Sequence, residues 1–243
     1  ALALAEKKTL LVDFDSQSNS TRGLGYSADA DRPSIYDSLA DNYPLQDTFL
    51  PTQSDRLTLV PAEPDLIGLE VELIPADGRE QRLRNVLASA RKDFEFLIVD
   101  CPPSLGLLTL NALVAADSVL VPVQCEYLAL EGVTQLIETL RRVKASLNPR
   151  LEVEGILLTM FDERTNLSRQ VVEDIRGFFE GAVYQTLIPR SVRLGEAPSF
   201  GKPIFLYDPR SKGAEAYFNL AKEFQARDEA RRTGGINEKA SSG

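Results

Sequence analysis

Asp13, Asp15 and Asp100 are the residues of this chain best placed to do chemistry. The first two close the run Thr9-Leu10-Leu11-Val12-Asp13-Phe14-Asp15, and the third closes Phe94-Glu95-Phe96-Leu97-Ile98-Val99-Asp100. Both runs are apolar and β-branched, the composition of a buried parallel strand. A carboxylate at the C-terminal end of such a strand lies at the edge where open α/β sheets bind ligands. Strand alternation puts Asp13 and Asp15 on one side. Paired acidic strand ends suit a divalent cation and the positioning of a water. A solvated strand end or a helix cap would use the same residue types, but a second strand delivering a further carboxylate favours the chemical reading. In nucleotide hydrolases such acids accompany a glycine-rich phosphate cradle, G-x-x-x-x-G-K-[ST]. Residues 1–243 contain no such motif, and Ala1-Leu2-Ala3-Leu4-Ala5-Glu6 reads as the closing turns of a helix.

The segment Asp100-Cys101-Pro102-Pro103-Ser104 is sharper. Phe96 to Val99 read as a strand buried on both faces, and two prolines stop it just beyond the acid. That is the form of a Walker B acid, although Val-Asp-x-Pro also occurs as a plain strand exit.

The elements that must position these acids alternate along the chain. Strands are expected at 9–14, 57–61, 94–100, 118–123, 153–159 and 183–188, and helices at 79–91, 106–116, 131–147, 167–179 and 212–227. This alternation predicts βαβ units and a doubly wound, mainly parallel α/β sheet. Residues 23–53 are polar and carry Pro33, Pro44 and Pro51, so they read as a surface excursion with a short helix near 34–40. Residues 1–230 are expected to form one domain, and the Gly/Ser-rich stretch 231–243 a disordered tail.

Composition excludes several classes. The chain has 243 residues, 43% of them hydrophobic, and no apolar run approaching the length of a membrane span. There is no histidine, which removes His-based triads and the common zinc sites. Two cysteines, Cys101 and Cys125, fit a reducing cytoplasm better than a disulfide scaffold. Net charge is −9, so nucleic-acid binding would need a local basic patch.

Several segments in order carry a family resemblance: Asp13-x-Asp15-x-Gln17-x-Asn19, Asp100-Cys-Pro-Pro-Ser-Leu-Gly106, Pro122-Val-Gln-Cys-Glu-Tyr127, Leu158-Thr-Met-Phe-Asp162 with Arg164-Thr-Asn166, Ile188-Pro-Arg190 with Val192-Arg193, Glu196-Ala-Pro-Ser199 and Tyr207-Asp-Pro-Arg210. From Ala1 to about Arg227 the chain resembles the ParA/Soj family of chromosome and plasmid partitioning ATPases, P-loop NTPases of the MinD-like superfamily with a deviant Walker A motif. The resemblance implies roles. Asp15 matches the catalytic aspartate that orients the water attacking the γ-phosphate, Asp13 the preceding strand-end acid beside the nucleotide, and Asp100 the acid that holds Mg²⁺ through water. Pro189 and Ser191 lie where the family's loop meets the adenine end of ATP, most relatives carrying Asn at the Ser191 position. Arg164 and Arg193 match arginines that bind DNA without sequence preference, a phosphate-charge effect. A surface ion pair is the plainer reading of either arginine taken alone. The expected partners are a second copy (a homodimer sandwiching ATP), nucleoid DNA and a ParB/Spo0J-like protein, with no membrane; the expected place is the cytoplasm at the nucleoid.

The chain departs from the family pattern at three points. Ser16 and Ser18 replace the usual Pro and Gly, and both substitutions are small. The family's first strand and its Lys-Gly-Gly-x-Gly-Lys-Thr loop do not occur in residues 1–243. Their loss would remove the phosphate cradle and leave neighbouring strands with unpaired edges, so the chain taken alone is expected to bind ATP poorly. Three rival readings go with this. A nitrogenase-type iron protein would use Cys101 and Cys125 on a cluster. A MinD-like membrane-cycling ATPase would need a C-terminal amphipathic anchor, which 223–232 makes poorly. A non-catalytic DNA-binding module would keep the fold without turnover.

Overall fold

The computed structural model describes residues 1–28, 31–104, 106–127 and 129–240. A 3₁₀ turn at Ala3–Ala5, closed by Glu6 in the left-handed region, leads into β1 (Thr9–Asp13). Then follow α1 (Asn19–Gly23), α2 (Ile35–Ala40), β2 (Leu50–Pro51), β3 (Leu57–Val60), α3 (Leu69–Glu72) and α4 (Arg82–Leu87). The second half runs β4 (Phe96–Asp100), α5 (Leu107–Ala115), β5 (Ser118–Gln124), α6 (Ala129–Ser146), β6 (Glu152–Thr159), α7 (Asn166–Phe178), α8 (Val192–Glu196), α9 (Ile204–Tyr207) and α10 (Lys212–Ala240).

The strands form two sheets. One has the order β2-β3-β1-β4, with β1 parallel to both β3 and β4 and only β2 antiparallel; the other is the parallel pair β5-β6. Each sheet has its own core. Leu10, Val12, Phe14, Val60 and Leu83 sit in the first, and Val121, Val123, Ile156, Leu158 and Ile175 in the second. Helix α5 serves both, giving Leu108 and Ala112 to one and Leu113 to the other. Helix α10 also joins them, because Phe224 meets Phe96 of β4 edge-to-face at 5.5 Å while packing in the cluster of Leu157 and Tyr184, with Leu120 of β5 against it.

Among the described residues β4 pairs only with β1, and β5 only with β6. This corrects the expectation that β4 is buried on both faces. Ile98 is 38% exposed, and the strand's side chains are only partly covered, because nothing described pairs with its outer edge.

Two other expectations change. Residues 183–188 form no strand: Val183 makes an isolated bridge with Ile156, and just beyond the run Pro189 makes another with Phe161. The cause is a contact with a distant segment: the amides of Gln185 and Thr186 donate to the Glu223 carboxylate of α10 (2.7 and 2.9 Å), so the middle of the run is committed to a helix. Helix α10 also continues to Ala240, past the point where a tail is expected, and is held near that point by Arg231 pairing with buried Glu154. Residues 241–243 of the expected tail lie outside the described residues, as does Leu105 of the Asp100–Gly106 segment.

Candidate functional site

Asp13 and Asp100 are register partners on the adjacent parallel strands β1 and β4, so the two acids stand side by side at the C-terminal edge of the first sheet. Their environments differ. Asp13 is fully buried, and its Oδ2 accepts both the amide and the hydroxyl of Thr21, each at 2.7 Å. The Thr21 hydroxyl in turn accepts the Ala62 amide (3.1 Å). Burial pushes the Asp13 pKa up, with the neighbouring Asp100 charge adding to it; the Thr21 hydrogen bonds oppose the rise. Asp13 is thus turned inward, anchoring α1 to the strand end.

Asp100 faces solvent, and one of its oxygens accepts the Ser20 hydroxyl at 2.6 Å. Its other oxygen has no donor among the described residues. Asp15 lies in the loop after β1, half-buried, with Oδ1 accepting the Gln17 amide (3.0 Å). The loop then passes through Ser18, which is buried with φ 54° in the left-handed region that favours glycine. The serine departure therefore carries backbone strain that glycine would not.

A hard-oxygen set of Asp100 and Asp15 beside the Ser20 hydroxyl fits Mg²⁺. No group of three or more His, Cys, Asp or Glu among the described residues could hold a metal alone, so such an ion would rely on water and phosphate oxygens for the rest of its shell. The cluster chemistry offered by Cys101 and Cys125 lacks such a group too, and both thiols are pushed up to about 11, chiefly by burial, which keeps them protonated.

The second group of residues collects at the end of β6. Pro189 bridges Phe161, and Ser191 precedes α8 as its N-cap without a side-chain capping bond. Arg164 is exposed and forks onto Asp162, with Nε to Oδ1 at 2.9 Å and Nη2 to Oδ2 at 2.7 Å. That contact holds the Asp162 carboxyl well below the usual carboxylate range. Arg193 contacts Glu196 (3.0 Å) and Asp208 (3.5 Å), and Arg190 contacts Glu126 (2.6 Å). Both arginines expected to meet DNA are therefore ion-paired at the surface.

The two groups are stitched together where Ala197–Phe200, a 3₁₀ turn, abuts α1. Gly201 lies so near Gly25 that a Cβ there would come within 2.6 Å of its Cα. Gln53 closes the same seam, donating to the Gly201 carbonyl at 3.1 Å.

Sequence reasoning missed Ser20, Thr21 and Glu70. Glu70, just inside α3, accepts the Leu108 amide at 3.2 Å and caps the start of α5 behind the Asp100 loop. Only hydrophilic type and proximity to Asn19 marked Ser20 and Thr21, and no local pattern marks Glu70.

No helix among the described residues is long and apolar enough to cross a membrane. The segment considered as an interfacial anchor is docked instead: Glu223 on 185–186, Phe224 on Phe96, and Arg227 over the Tyr184 ring at 4.0 Å.

The mainly parallel α/β arrangement is the fold class of solved P-loop NTPase structures of the MinD type, such as the cell division ATPase MinD of Pyrococcus furiosus (TM-score 0.75, 25% identity over 93% of this chain and 88% of that one). Comparison with known proteins narrows it. The pattern of one family, described as an AAA domain, matches residues 1–153. The chain is 55% identical over 228 residues to the chromosome partitioning protein ParA of Myxococcus xanthus, covering 94% of this chain and 81% of that protein. It is 52% identical over 225 residues to the sporulation initiation inhibitor protein Soj of Bacillus subtilis, covering 93% and 89%. Among solved structures it resembles one titled cobyrinic acid a,c-diamide synthase from Mycobacterium smegmatis, with bound ADP and magnesium, at a TM-score of 0.78 and 39% identity over 90% of this chain and 83% of that one. The chain belongs to the ParA/Soj family of chromosome partitioning proteins.

Proposed function

We propose that this chain carries the carboxylate and basic-loop portion of a partition ATPase, which dimerises on ATP, binds nucleoid DNA without sequence preference, and releases it on hydrolysis stimulated by a ParB/Spo0J-like partner. The observation that carries the reading is the side-by-side placement of Asp13 and Asp100 at one strand edge, with Asp15 in the loop above them. Magnesium, when bound, supplies charge neutralisation between phosphate oxygens. Asp100 is the residue that would hold it through water, steadied by Ser20. Asp15 would orient the attacking water, while Asp13 keeps α1 and the loop in place through Thr21. Pro189 and Ser191 would flank the adenine. ATP binding favours the dimer, which doubles the arginine surface and raises avidity for DNA; turnover then resets the monomer.

The test is Asp15→Ala in a version that carries a phosphate loop ahead of residue 1. Turnover is expected to fall by about two orders of magnitude or more with ATP binding kept. Unchanged turnover would sink the reading. Residues 1–243 alone, which hold no such loop, are expected to bind ATP more weakly than micromolar. For the DNA surface, Arg193→Glu should abolish ATP-dependent retention on DNA at low salt, and retention that survives would remove Arg193 from the interface.

A further inference from the structure

Helix α5 begins without a cap of its own. Its flanking residue is Gly106, which has no side chain, and its first turn, Leu107 to Leu110, holds no acid. The first amides of a helix have no partner within it, and a bare N-terminus carries partial positive charge. The group that answers both comes from a residue 38 positions earlier than the amide it meets: Glu70 of α3, whose Oε1 accepts the Leu108 amide at 3.2 Å. Gly106 is what admits it, since a Cβ there would lie 2.1 Å from that oxygen. Glu70 also stands on a fixed support, because its neighbours Leu66, Leu69 and Leu73 are all in the first core.

What α5 holds in turn is the loop that leaves Asp100. Pro102 and Pro103 have no amide to give. The Pro102 and Ser104 carbonyls both accept the Thr109 hydroxyl in the first turn of α5, the former at 3.1 Å. Thr109 therefore fastens the loop to α5 as Glu70 fastens α5 to α3. Asp100 itself is held separately. Its carbonyl accepts the Phe14 amide at 2.7 Å, and its carboxylate accepts the Ser20 hydroxyl. The two ends of the loop thus have different anchors, β1 and α1 at the acid and Glu70 at the helix.

We infer that Glu70 is a positioning residue for the loop from Cys101 to Ser104, fixing its course at the ligand edge by capping α5. The ordering of the loop stands without the function proposed above; only its consequence for turnover rests on that reading. Because Asp100 is pinned independently, losing Glu70 slows the chemical step while magnesium and ATP are held as before.

The experiment uses the chain's two thiols as markers. Cys101 lies in the loop, half-buried against the first core, and Cys125 is buried in the second. Residues 1–243, Glu70→Ala and Glu70→Gln are labelled with a maleimide, and each site is followed by mass spectrometry. In Glu70→Ala, Cys101 is expected to react at least about fivefold faster, and the Leu108 amide to exchange faster too, with the Cys125 rate unchanged. Glu70→Gln keeps an acceptor and should restore both. An unchanged Cys101 rate in Glu70→Ala overturns the proposal, and so does equal acceleration at both thiols, which reports general loosening. If Glu70→Ala does not melt cooperatively, Gly106→Ala, which displaces the carboxylate, is read by the same criteria. In the version carrying a phosphate loop, Glu70→Ala is expected to lower kcat about tenfold at unchanged KM for ATP and unchanged magnesium half-saturation. Leu140→Ala, which opens a cavity in the second core, should leave kcat alone. Wild-type kcat in Glu70→Ala, or an equal fall in both variants, overturns the role in positioning. A wild-type version without ATP hydrolysis would refute the function proposed above and leave the thiols to decide the loop.

Discussion

The two ends of this molecule hold their charges by opposite means. At the β1–β4 edge, charge is fixed by burial and backbone: Asp13 is enclosed, and Thr21 gives it both an amide and a hydroxyl. At the β6 edge, Arg164 and Arg193 stand in solvent and are paired with Asp162, Glu196 and Asp208. A buried, hydrogen-bonded acid is preorganised, and removing it strands its partners. An exposed pair contributes little to stability and is screened by salt, so its arginine is free to exchange a carboxylate for a phosphate. The first edge belongs to the fold, whereas the second is a surface held in reserve.

The sharpest way to break this contrast is Asp13→Ala, expected to cost about 3 kcal/mol by leaving the Thr21 amide and hydroxyl unsatisfied. Urea denaturation with an unmoved midpoint would show that the acid is not an anchor. Next, Gly106→Ala should cost about 1 kcal/mol by displacing Glu70 from the α5 start, and Glu70→Ala should add little in that background. A fully additive double-mutant cycle would refute the contact. Ser18→Gly should stabilise by up to about 1 kcal/mol by relieving the left-handed serine. At the other edge, Arg164→Ala should leave the melting temperature where it is. Asp162→Asn should tighten DNA binding several-fold by freeing Arg164, and weaker binding would mean that the carboxylate orients the guanidinium rather than occupying it.

The two edges should also answer acid with opposite signs. Burial raises the Asp13 pKa, so its contribution is present at low pH and lost as pH rises through the raised value. Arg164 lowers the Asp162 pKa, so that contribution is present at neutral pH and lost as pH falls. Urea denaturation should therefore show the wild-type lead over Asp13→Asn growing as pH falls from about 7 towards 4, and the lead over Asp162→Asn holding over that range and shrinking only below about pH 4. Parallel slopes would remove the distinction.

What could be read in the sequence was what local pattern encodes. β1 and β4 announce themselves as apolar runs ending on aspartate, and α5, α6 and α7 fall within two residues of their expected bounds. Contacts between distant segments were not legible. Thr21 reaches Asp13, Glu70 reaches the α5 start, and Glu223 takes the amides that would have made 183–188 a strand. The exposure of β4 was hidden for a related reason, because burial on both faces depends on a neighbour and not on the strand's own residues.

Helix α10 sets the order in which the molecule can be completed during synthesis. The two cores draw mostly on nearby chain and can gather as they emerge. What clamps one to the other across the edges of β4 and β5, which no described strand pairs, includes Phe224 on Phe96 and Arg231 on Glu154, partners separated by about half and about a third of the chain's length. Until Arg231 has left the ribosome the two sheets lack this clamp, which makes the synthesis of α10 an interval of exposure to aggregation.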